Sequence, residues 1–209
     1  MSTITLIVSL SSLAILAFML FVYEKSRPTA RDIVPVVVIS VVASLGRIIF
    51  SFLPSVQPVT AIVIIMGIVF GKRAGFITGC LTALISNLYV GHGPWTPWQM
   101  LAWGICGILA ATIAGFVSDN SKEKSKAFLF LMTGFAFLCG FLYSTITDFW
   151  TVSTLIGNMP SYGVIGVFAA GWIYNIPHAI GNAIFFILLY IPLSKKLLRL
   201  KNKYGVMKY

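Results

Sequence analysis

Charged residues are scarce in this chain of 209 residues, where they make up 10% and only five of them are Asp or Glu. A soluble domain usually carries about 25% charged residues, and 58% of this chain is hydrophobic. This composition excludes an ordinary water-soluble globule. The fifteen Lys and Arg give a net charge of +10, but they occur in short clusters between apolar runs and not on one basic face, as nucleic-acid binding would require. The sequence therefore predicts an integral membrane protein that does not bind nucleic acid.

Several catalytic signatures are missing as well. The chain has no GxxxxGK[ST] phosphate loop, no HExxH or GxSxG motif, and no paired carboxylates placed for acid–base chemistry. Cys80, Cys106 and Cys139 lie inside apolar runs without metal-ligand spacing, so we interpret them as small hydrophobic residues. We expect no enzyme, no metal site and no cofactor in this chain, and no ability to hydrolyse ATP by itself.

Seven apolar runs approach the length of about twenty residues that a helix needs to cross a bilayer core. The third run is short and could be tilted, or could form a hinged pair with the fourth. The first run has no positively charged segment or cleavage pattern, so we interpret it as a retained helix and not as a removed signal. The predicted spans are residues 3–23, 33–53, 59–70, 74–90, 98–117, 127–149 and about 168–193.

The basic residues orient these spans. If Met1 lies outside, the inside loops collect fourteen Lys or Arg and the outside loops none, while the fifteenth, Arg47, lies within a span. Because loops on the cytoplasmic side carry an excess of Lys and Arg, this separation favours seven helices with the N-terminus outside and the C-terminus inside. We predict an all-α polytopic membrane protein with a single transmembrane domain.

Polar side chains collect in the predicted outer halves of the spans, where they cost free energy unless they face a cavity, a partner or each other. On the seventh span, Asn175, His178 and Asn182 have i, i+3, i+7 spacing and share one helix face. This distribution predicts a polar pocket open to the outside. Two alternatives stay open at this stage: a structural ion pair between Arg47 and Asp148, and a His178 that is hydrogen-bonded between helices.

All five Trp also fall in the predicted outer half. An interfacial belt explains part of such a set, but a belt occupies both faces, and a one-sided set suits a lid or a stacking platform for a large flat ligand. The outer connection 149–167 is the longest one and is interpreted as a gate. The predicted substrate-binding residues are Arg47, Gln57, Asn87, Trp95, Trp98, Gln99, Trp103, Asp148, Trp150, Tyr162, Asn175, His178 and Asn182.

The second span carries a stripe of small residues, Ser40, Ala43 and Ser44. Small residues let a second helix approach closely. That helix can belong to a partner subunit or to this chain, and the sequence alone does not favour either interpretation.

Several segments of the chain resemble a known family. They are Arg-Pro-Thr-Ala-Arg-Asp at 27–32, the run Leu-Pro-Ser-Val-Gln-Pro-Val-Thr-Ala-Ile-Val-Ile at 53–64, Ser86-Asn87, Gly-Pro-Trp-Thr-Pro-Trp-Gln-Met at 93–100, and Trp103-Gly104. Together they resemble the substrate-binding S components of energy-coupling factor (ECF) transporters, and most closely the cobalamin-type subfamily.

The resemblance implies a six-helix core, which maps to residues 27–194. The additional helix at 1–26 departs from the family's pattern, and a basic cytoplasmic tail follows at 195–209. It also implies a bacterial cell-membrane importer subunit that captures cobalamin or a corrinoid precursor outside and delivers it by reorienting in the membrane. A transmembrane coupling subunit would dock on Ser40, Ala43 and Ser44, and two partner ATPases would bind ATP and Mg.

The residues by themselves favour a large, amide-bearing, partly apolar ligand, because Asn and Gln both donate to and accept from amides. Another vitamin, a corrinoid fragment or a modified base remains an alternative ligand. The alternatives of a different class are a stand-alone secondary transporter and an intramembrane enzyme that would use His178 with Ser86 as nucleophile.

Overall fold

The computed structural model describes residues 3–25, 28–117, 126–155 and 161–207, and all regular structure in these ranges is helical. Four helices, α2, α5, α6 and α7, are long and apolar enough to cross a membrane. The predicted all-α polytopic membrane protein is confirmed. The helices are α1 (Thr3–Lys25), α2 (Ala30–Ile49), α3 (Val59–Phe70), α4 (Lys72–Val90), α5 (Thr96–Phe116), α6 (Lys126–Leu155) and α7 (Ser161–Tyr204).

The short helix α3 lies at the centre of the bundle, where it packs against α4, α5 and α7. Its twelve residues span about 18 Å at the usual rise per residue, less than the hydrocarbon core of about 30 Å. All of them except Ile68 are buried. A helix that is hydrophobic on all sides belongs inside a protein, and because protein surrounds α3, this helix does not need to match the thickness of the lipid.

A single residue, Gly71, joins α3 to α4. Its φ of 92° lies in a region that glycine adopts at little cost and other residues do not. The side chain of Lys201, near the end of α7, donates a hydrogen bond of 2.6 Å to the carbonyl oxygen of Val69. This bond pairs one of the carbonyls that a helix end leaves without a helical partner. Of the two alternatives for the short third run, a tilted span and a hinged pair with the fourth, the one-residue connection between α3 and α4 favours the pair.

Glycines let α4 and α5 approach closely. A Cβ atom added to Gly75 would lie 2.9 Å from the carbonyl oxygen of Gly107, and one added to Gly79 would lie 2.6 Å from the backbone nitrogen of Gly104. Neither contact would be possible with a larger residue, so the two backbones touch at both points. This crossing fixes Trp103, the residue before Gly104, beside the central helix.

The additional N-terminal helix α1 packs against α5 and α6. Leu16 is buried there, whereas Leu10, Phe18 and Phe21 are exposed, as expected for a helix with one face on the bundle and the rest toward lipid. All three cysteines are free and buried, which agrees with their interpretation as small hydrophobic residues.

Helices α6 and α7 extend further than the sequence predicted. The predicted connection 149–167 is wrong as a loop over most of its length, because α6 continues to Leu155 and α7 already begins at Ser161, leaving 156–160 outside the described residues. Gly163 predicts a loop in this segment but lies within α7, and membrane helices contain glycine more often than soluble ones. The predicted tail is also helical as far as Tyr204, so α7 is 44 residues long.

Candidate functional site

Polar and aromatic side chains surround a cavity of about 180 Å³ at the end of the bundle where α2 ends and α3 begins. We call this the cavity end; the sequence predicts that it faces outside. Helices α2, α3, α5, α6 and α7 and the α2–α3 loop each contribute to the wall. The lining residues are Arg47, Ser55, Gln57, Val59, Trp103, Tyr143 and His178.

Arg47 anchors one side of the cavity and is only 6% exposed. Its Nη1 atom donates to Ser86 Oγ and to Asn87 Oδ1, both at 2.6 Å. The Nδ2 atom of Asn87 donates in turn to Thr96 Oγ1 at 2.9 Å and to Gln99 Oε1 at 2.8 Å. Because these residues belong to α2, α4 and α5, one hydrogen-bond network connects three helices behind the cavity and fixes the guanidinium.

An aromatic wall forms the other side. The Trp103 ring centroid lies 4.7 Å from that of Tyr143 and 5.1 Å from Cζ of Arg47, within the range of a cation–π contact. The edge of Tyr143 meets His178, with 5.0 Å between ring centroids and an interplanar angle of 83°. Trp103, Tyr143 and His178 therefore form a continuous ring surface from α5 through α6 to α7.

Thr60, in the first turn of α3, connects two members of this wall. Trp103 Nε1 donates to Thr60 Oγ1 at 3.2 Å, and the same hydroxyl oxygen lies 3.3 Å from His178 Nε2. These bonds hold the two rings in one orientation. An aromatic wall with fixed rings is suited to binding a flat ligand.

One buried donor of the network has no hydrogen-bond partner among the described residues: Nε of Arg47. Buried polar groups are almost always hydrogen-bonded, and leaving one unpaired costs about 1–3 kcal/mol. A ligand with an acceptor oxygen beside Arg47 would satisfy this donor.

The predicted ion pair between Arg47 and Asp148 is not present. Neutral side chains hold the guanidinium, and Oδ2 of Asp148 has no hydrogen-bond partner among the described residues. A Cβ added to Gly171 would lie 2.9 Å from that oxygen and 3.6 Å from Nδ2 of Asn175. Asp148 and Asn175 therefore lie near each other, outside the cavity lining.

The structure brings six predicted residues to the cavity or its network: Arg47, Gln57, Trp103 and His178 line it, and Asn87 and Gln99 support Arg47. Asn182, which shares a helix face with His178, is fully buried beyond the lining, and neither of its amide atoms has a partner among the described residues.

The predicted aromatic lid is not formed by the described residues. Trp95 and Trp172 are 41% and 59% exposed, Trp98 and Trp150 are half-buried outside the cavity lining, and the side chain of Tyr162 lies outside the described part of the chain. Of the five Trp, Trp103 is the one that lines the cavity.

Sequence reasoning did not find Ser55, Val59, Thr60 or Tyr143. Two of these left a signal: Tyr143 is a tyrosine inside an apolar span, and Thr60 follows Gln57 by one turn. Nothing in the sequence distinguishes Ser55 or Val59 from other loop and core residues.

The small-residue stripe of α2 packs within this chain. Ser40, Ala43 and Ser44 are buried, and the two hydroxyls lie 3.4 and 3.2 Å from the carbonyl oxygens of Thr78 and Thr82 on α4. Of the two interpretations that the sequence left open, packing within the chain is the one observed. The exposed face of α2 is a different one, formed by Val34, Val37, Val38, Val41, Val42, Leu45 and Ile49.

The chain is an all-helical membrane protein with a small polar and aromatic cavity at one end of the bundle. A family model described as "ECF-type riboflavin transporter, S component" matches residues 29–199. This match covers most of the chain, and the chain belongs to this family. Comparisons with curated proteins and with solved structures give no match.

The family match confirms the prediction of an ECF S component, which is a transport subunit and not an enzyme. It does not support the cobalamin-type subfamily. The matched region begins after α1 and ends within α7, so it contains every residue that lines the cavity.

Proposed function

We propose that this chain is the substrate-binding subunit of an ECF importer and that its ligand is riboflavin or a closely related flavin. The observation that carries the proposal is the cavity itself, in which a fixed aromatic wall faces side chains that recognise amides. The family is named for riboflavin transport, and this name supports the same ligand.

The chemistry of a flavin fits the cavity residues. Its fused ring system is flat and neutral, and it would stack on the aromatic wall of Trp103 and Tyr143 once the cavity widens, since Trp103 is only 2% exposed in this structure. One edge of the flavin carries carbonyl and imide groups, which pair with groups that both donate and accept, as the amide of Gln57 does.

The size of the cavity argues against cobalamin, the ligand that the resemblance had implied. The cavity measures about 180 Å³, below the usual range of about 300–1,000 Å³ for ligand pockets. Either ligand therefore requires the cavity to widen, and the three fused rings of a flavin require less widening than a corrin macrocycle with its side chains.

The proposed transport step uses partners. Family membership supports assembly with a transmembrane coupling subunit and two ATPases that bind ATP and Mg, and we propose that the ligand is delivered inward when the chain reorients in the membrane.

The alternatives of a stand-alone transporter and an intramembrane enzyme have no observation in their favour. Ser86 donates to Ala83 and accepts from Arg47, which places its hydroxyl in the network and not beside His178.

The test is ligand binding by the full chain purified in detergent, measured by calorimetry against riboflavin, flavin mononucleotide, lumichrome and cobalamin. We expect one-to-one binding of riboflavin with quenching of its fluorescence, because the ring stacks on aromatic side chains. Flavin mononucleotide should bind more weakly, since its phosphate would meet a site whose single cation already has partners. Binding of cobalamin without riboflavin would overturn the flavin assignment, and binding of neither would overturn the assignment of an autonomous binding subunit.

A further inference from the structure

A second and larger depression lies at the opposite end of the bundle, between the start of α2 and the end of α7. It has a volume of about 450 Å³. We call it the tail groove. Its walls are almost entirely apolar and include Val34, Pro35 and Val38 from α2 and Leu200 and Tyr204 from α7.

The turn that follows α7 closes one side of the tail groove. Gly205 has a φ of 65°, a conformation typical of the residue that ends a helix, and the chain then folds back so that Val206 lines the groove. The backbone N–H of Met207 donates to Oδ1 of Asp32 at 2.6 Å. The other carboxylate oxygen accepts from the backbone N–H and the hydroxyl of Thr29, at 2.9 and 2.7 Å. These hydrogen bonds fix this wall of the groove. Because the Asp32 carboxylate is already hydrogen-bonded to Thr29 and Met207, it does not need Arg31 as a partner.

Two basic residues, Arg31 and Lys203, carry positive charge near the mouth of the tail groove. Arg31 lines the groove and is exposed. The Nζ atom of Lys203, also exposed, lies 5.1 Å from the centroid of the Tyr204 ring, which forms part of the wall. Pro35 has no N–H, so the carbonyl of Arg31 cannot accept the usual helical hydrogen bond. Arg31 therefore places one cation on the groove lining, and Lys203 places a second beside the Tyr204 ring.

The position of the groove along α2 matches the boundary between water and lipid. From Ala30 to Val38 the helix advances about 12 Å, so the groove runs from the end of the span well into the hydrocarbon layer. The sequence predicts that this end faces the cytoplasm, where the leaflet carries anionic lipids and where basic pockets between helices bind lipid headgroups.

We propose that the tail groove is a binding site for an anionic phospholipid, with one acyl chain between α2 and α7 and the phosphate between Arg31 and Lys203. An apolar slot that opens into a cationic mouth complements a molecule with an acyl chain and an anionic head. A soluble phosphate would use the mouth and leave the slot empty. This proposal does not depend on which vitamin the cavity binds.

The test uses the full chain in detergent, with phosphatidylglycerol or phosphatidylcholine of identical acyl chains added at equal concentration and bound lipid counted by native mass spectrometry. We expect a preference for phosphatidylglycerol. In Arg31→Gln and Lys203→Gln the affinity for it should fall about fivefold for each charge removed, because a basic group near an anionic headgroup contributes on that scale. Val38→Trp, which fills the slot and keeps both charges, should weaken the binding of both lipids.

The matched control is Lys72→Gln with Arg73→Gln, which removes two exposed charges at the start of α4, away from the groove. This variant should bind phosphatidylglycerol as the unchanged chain does. Equal binding of the two lipids, or the same loss in the control as in the groove variants, would overturn the proposal. So would a Val38→Cys variant whose labelling by maleimide is blocked by the coupling subunit but not by phosphatidylglycerol, because the groove would then belong to a protein partner. Circular dichroism of each variant establishes that it is folded.

Discussion

The two ends of this helix bundle accommodate polar side chains in the membrane in different ways. At the cavity end, polar side chains from several helices bind one another, and the charge of Arg47 is buried among neutral partners. At the tail end, the charges of Arg31 and Lys203 are exposed around an apolar groove. Burying a charge requires that its surroundings be fixed, whereas a charge at the interface keeps its water. The cavity end therefore holds one fixed arrangement of side chains, whereas the charged groups of the tail end stay accessible at the membrane surface.

The largest effect should come from breaking the buried network. In Arg47→Met, Ser86 and Asn87 lose a charged hydrogen-bond donor and the cavity loses its cation, so we expect the affinity for riboflavin to fall about a hundredfold or more, equivalent to about 3 kcal/mol. Arg31→Met, which removes the equivalent charge from the tail end, should leave riboflavin affinity unchanged. Titration calorimetry measures both. Similar losses of riboflavin affinity in Arg47→Met and Arg31→Met would mean that the buried charge and the exposed charge do not differ in their effect on ligand binding.

A smaller effect is expected from the crossing that positions the aromatic wall. In Gly79→Ala the added methyl group meets the backbone of Trp103 and Gly104, and forcing the helices apart should cost about 2 kcal/mol. The chain should unfold at a temperature several degrees lower, and riboflavin should bind more weakly. Gly115→Ala is the control on the same pair of helices, because a Cβ at Gly115 meets nothing within 4 Å. That substitution should leave thermal unfolding unchanged or raise its midpoint slightly, since alanine favours the helix.

Replacing Trp103, the tryptophan of the aromatic wall, tests the contribution of the wall to ligand affinity. In Trp103→Leu the stacking surface is lost, so we expect affinity for riboflavin to fall about fivefold to tenfold, equivalent to about 1 kcal/mol, with less quenching of flavin fluorescence. Trp172→Leu is the matched control, because Trp172 is mostly exposed and contacts Phe141 away from the cavity. A loss of affinity in the control that equals the loss in Trp103→Leu would place the ligand elsewhere.

The smallest effect concerns the tail end. Asp32→Asn replaces the carboxylate with a neutral amide whose single oxygen cannot accept from both Met207 and Thr29, as the two carboxylate oxygens do, and this should cost about 1 kcal/mol. We expect faster hydrogen exchange at Val206 and Met207, with no change in riboflavin binding. Exchange measured by mass spectrometry reports the first result and calorimetry the second. Loss of riboflavin binding in this variant would show that the two ends are coupled.

Much of the fold was predictable because a bilayer imposes strict lengths and a strict separation of charge. The helical class followed from the apolar runs, and the third run was recognised as short, with pairing to the fourth run as one of two alternatives. The ends of α6 and α7 were not predicted, because Gly163 was interpreted as a loop signal although it lies within α7, and the other two loop signals, Gly157 and Pro160, lie outside the described residues. The end of α7 is rich in Leu and Lys, which are good helix formers, and that signal was available at 195–204.

The site was predictable where a single residue contrasts with its span. Arg47 and His178 are conspicuous in apolar helices, and both line the cavity. Thr60 and Tyr143 were missed because their roles depend on which helices meet, and a sequence pattern does not contain that information. The same limit applies to Ser40 and Ser44, since spacing shows that a helix packs closely there but not whose helix it is.

The length of α7 has a mechanical consequence. One helix carries His178 at the cavity and Tyr204 at the tail groove, 26 positions apart in its 44 residues, a distance of about 39 Å at the usual rise. Lys201 also connects its far end to the last turn of the central helix. Pro192 lies within this helix between the two sites, and Pro177 directly precedes His178. Because proline removes a backbone hydrogen bond and favours a kink, the two sites are joined by one continuous helix that can bend between them.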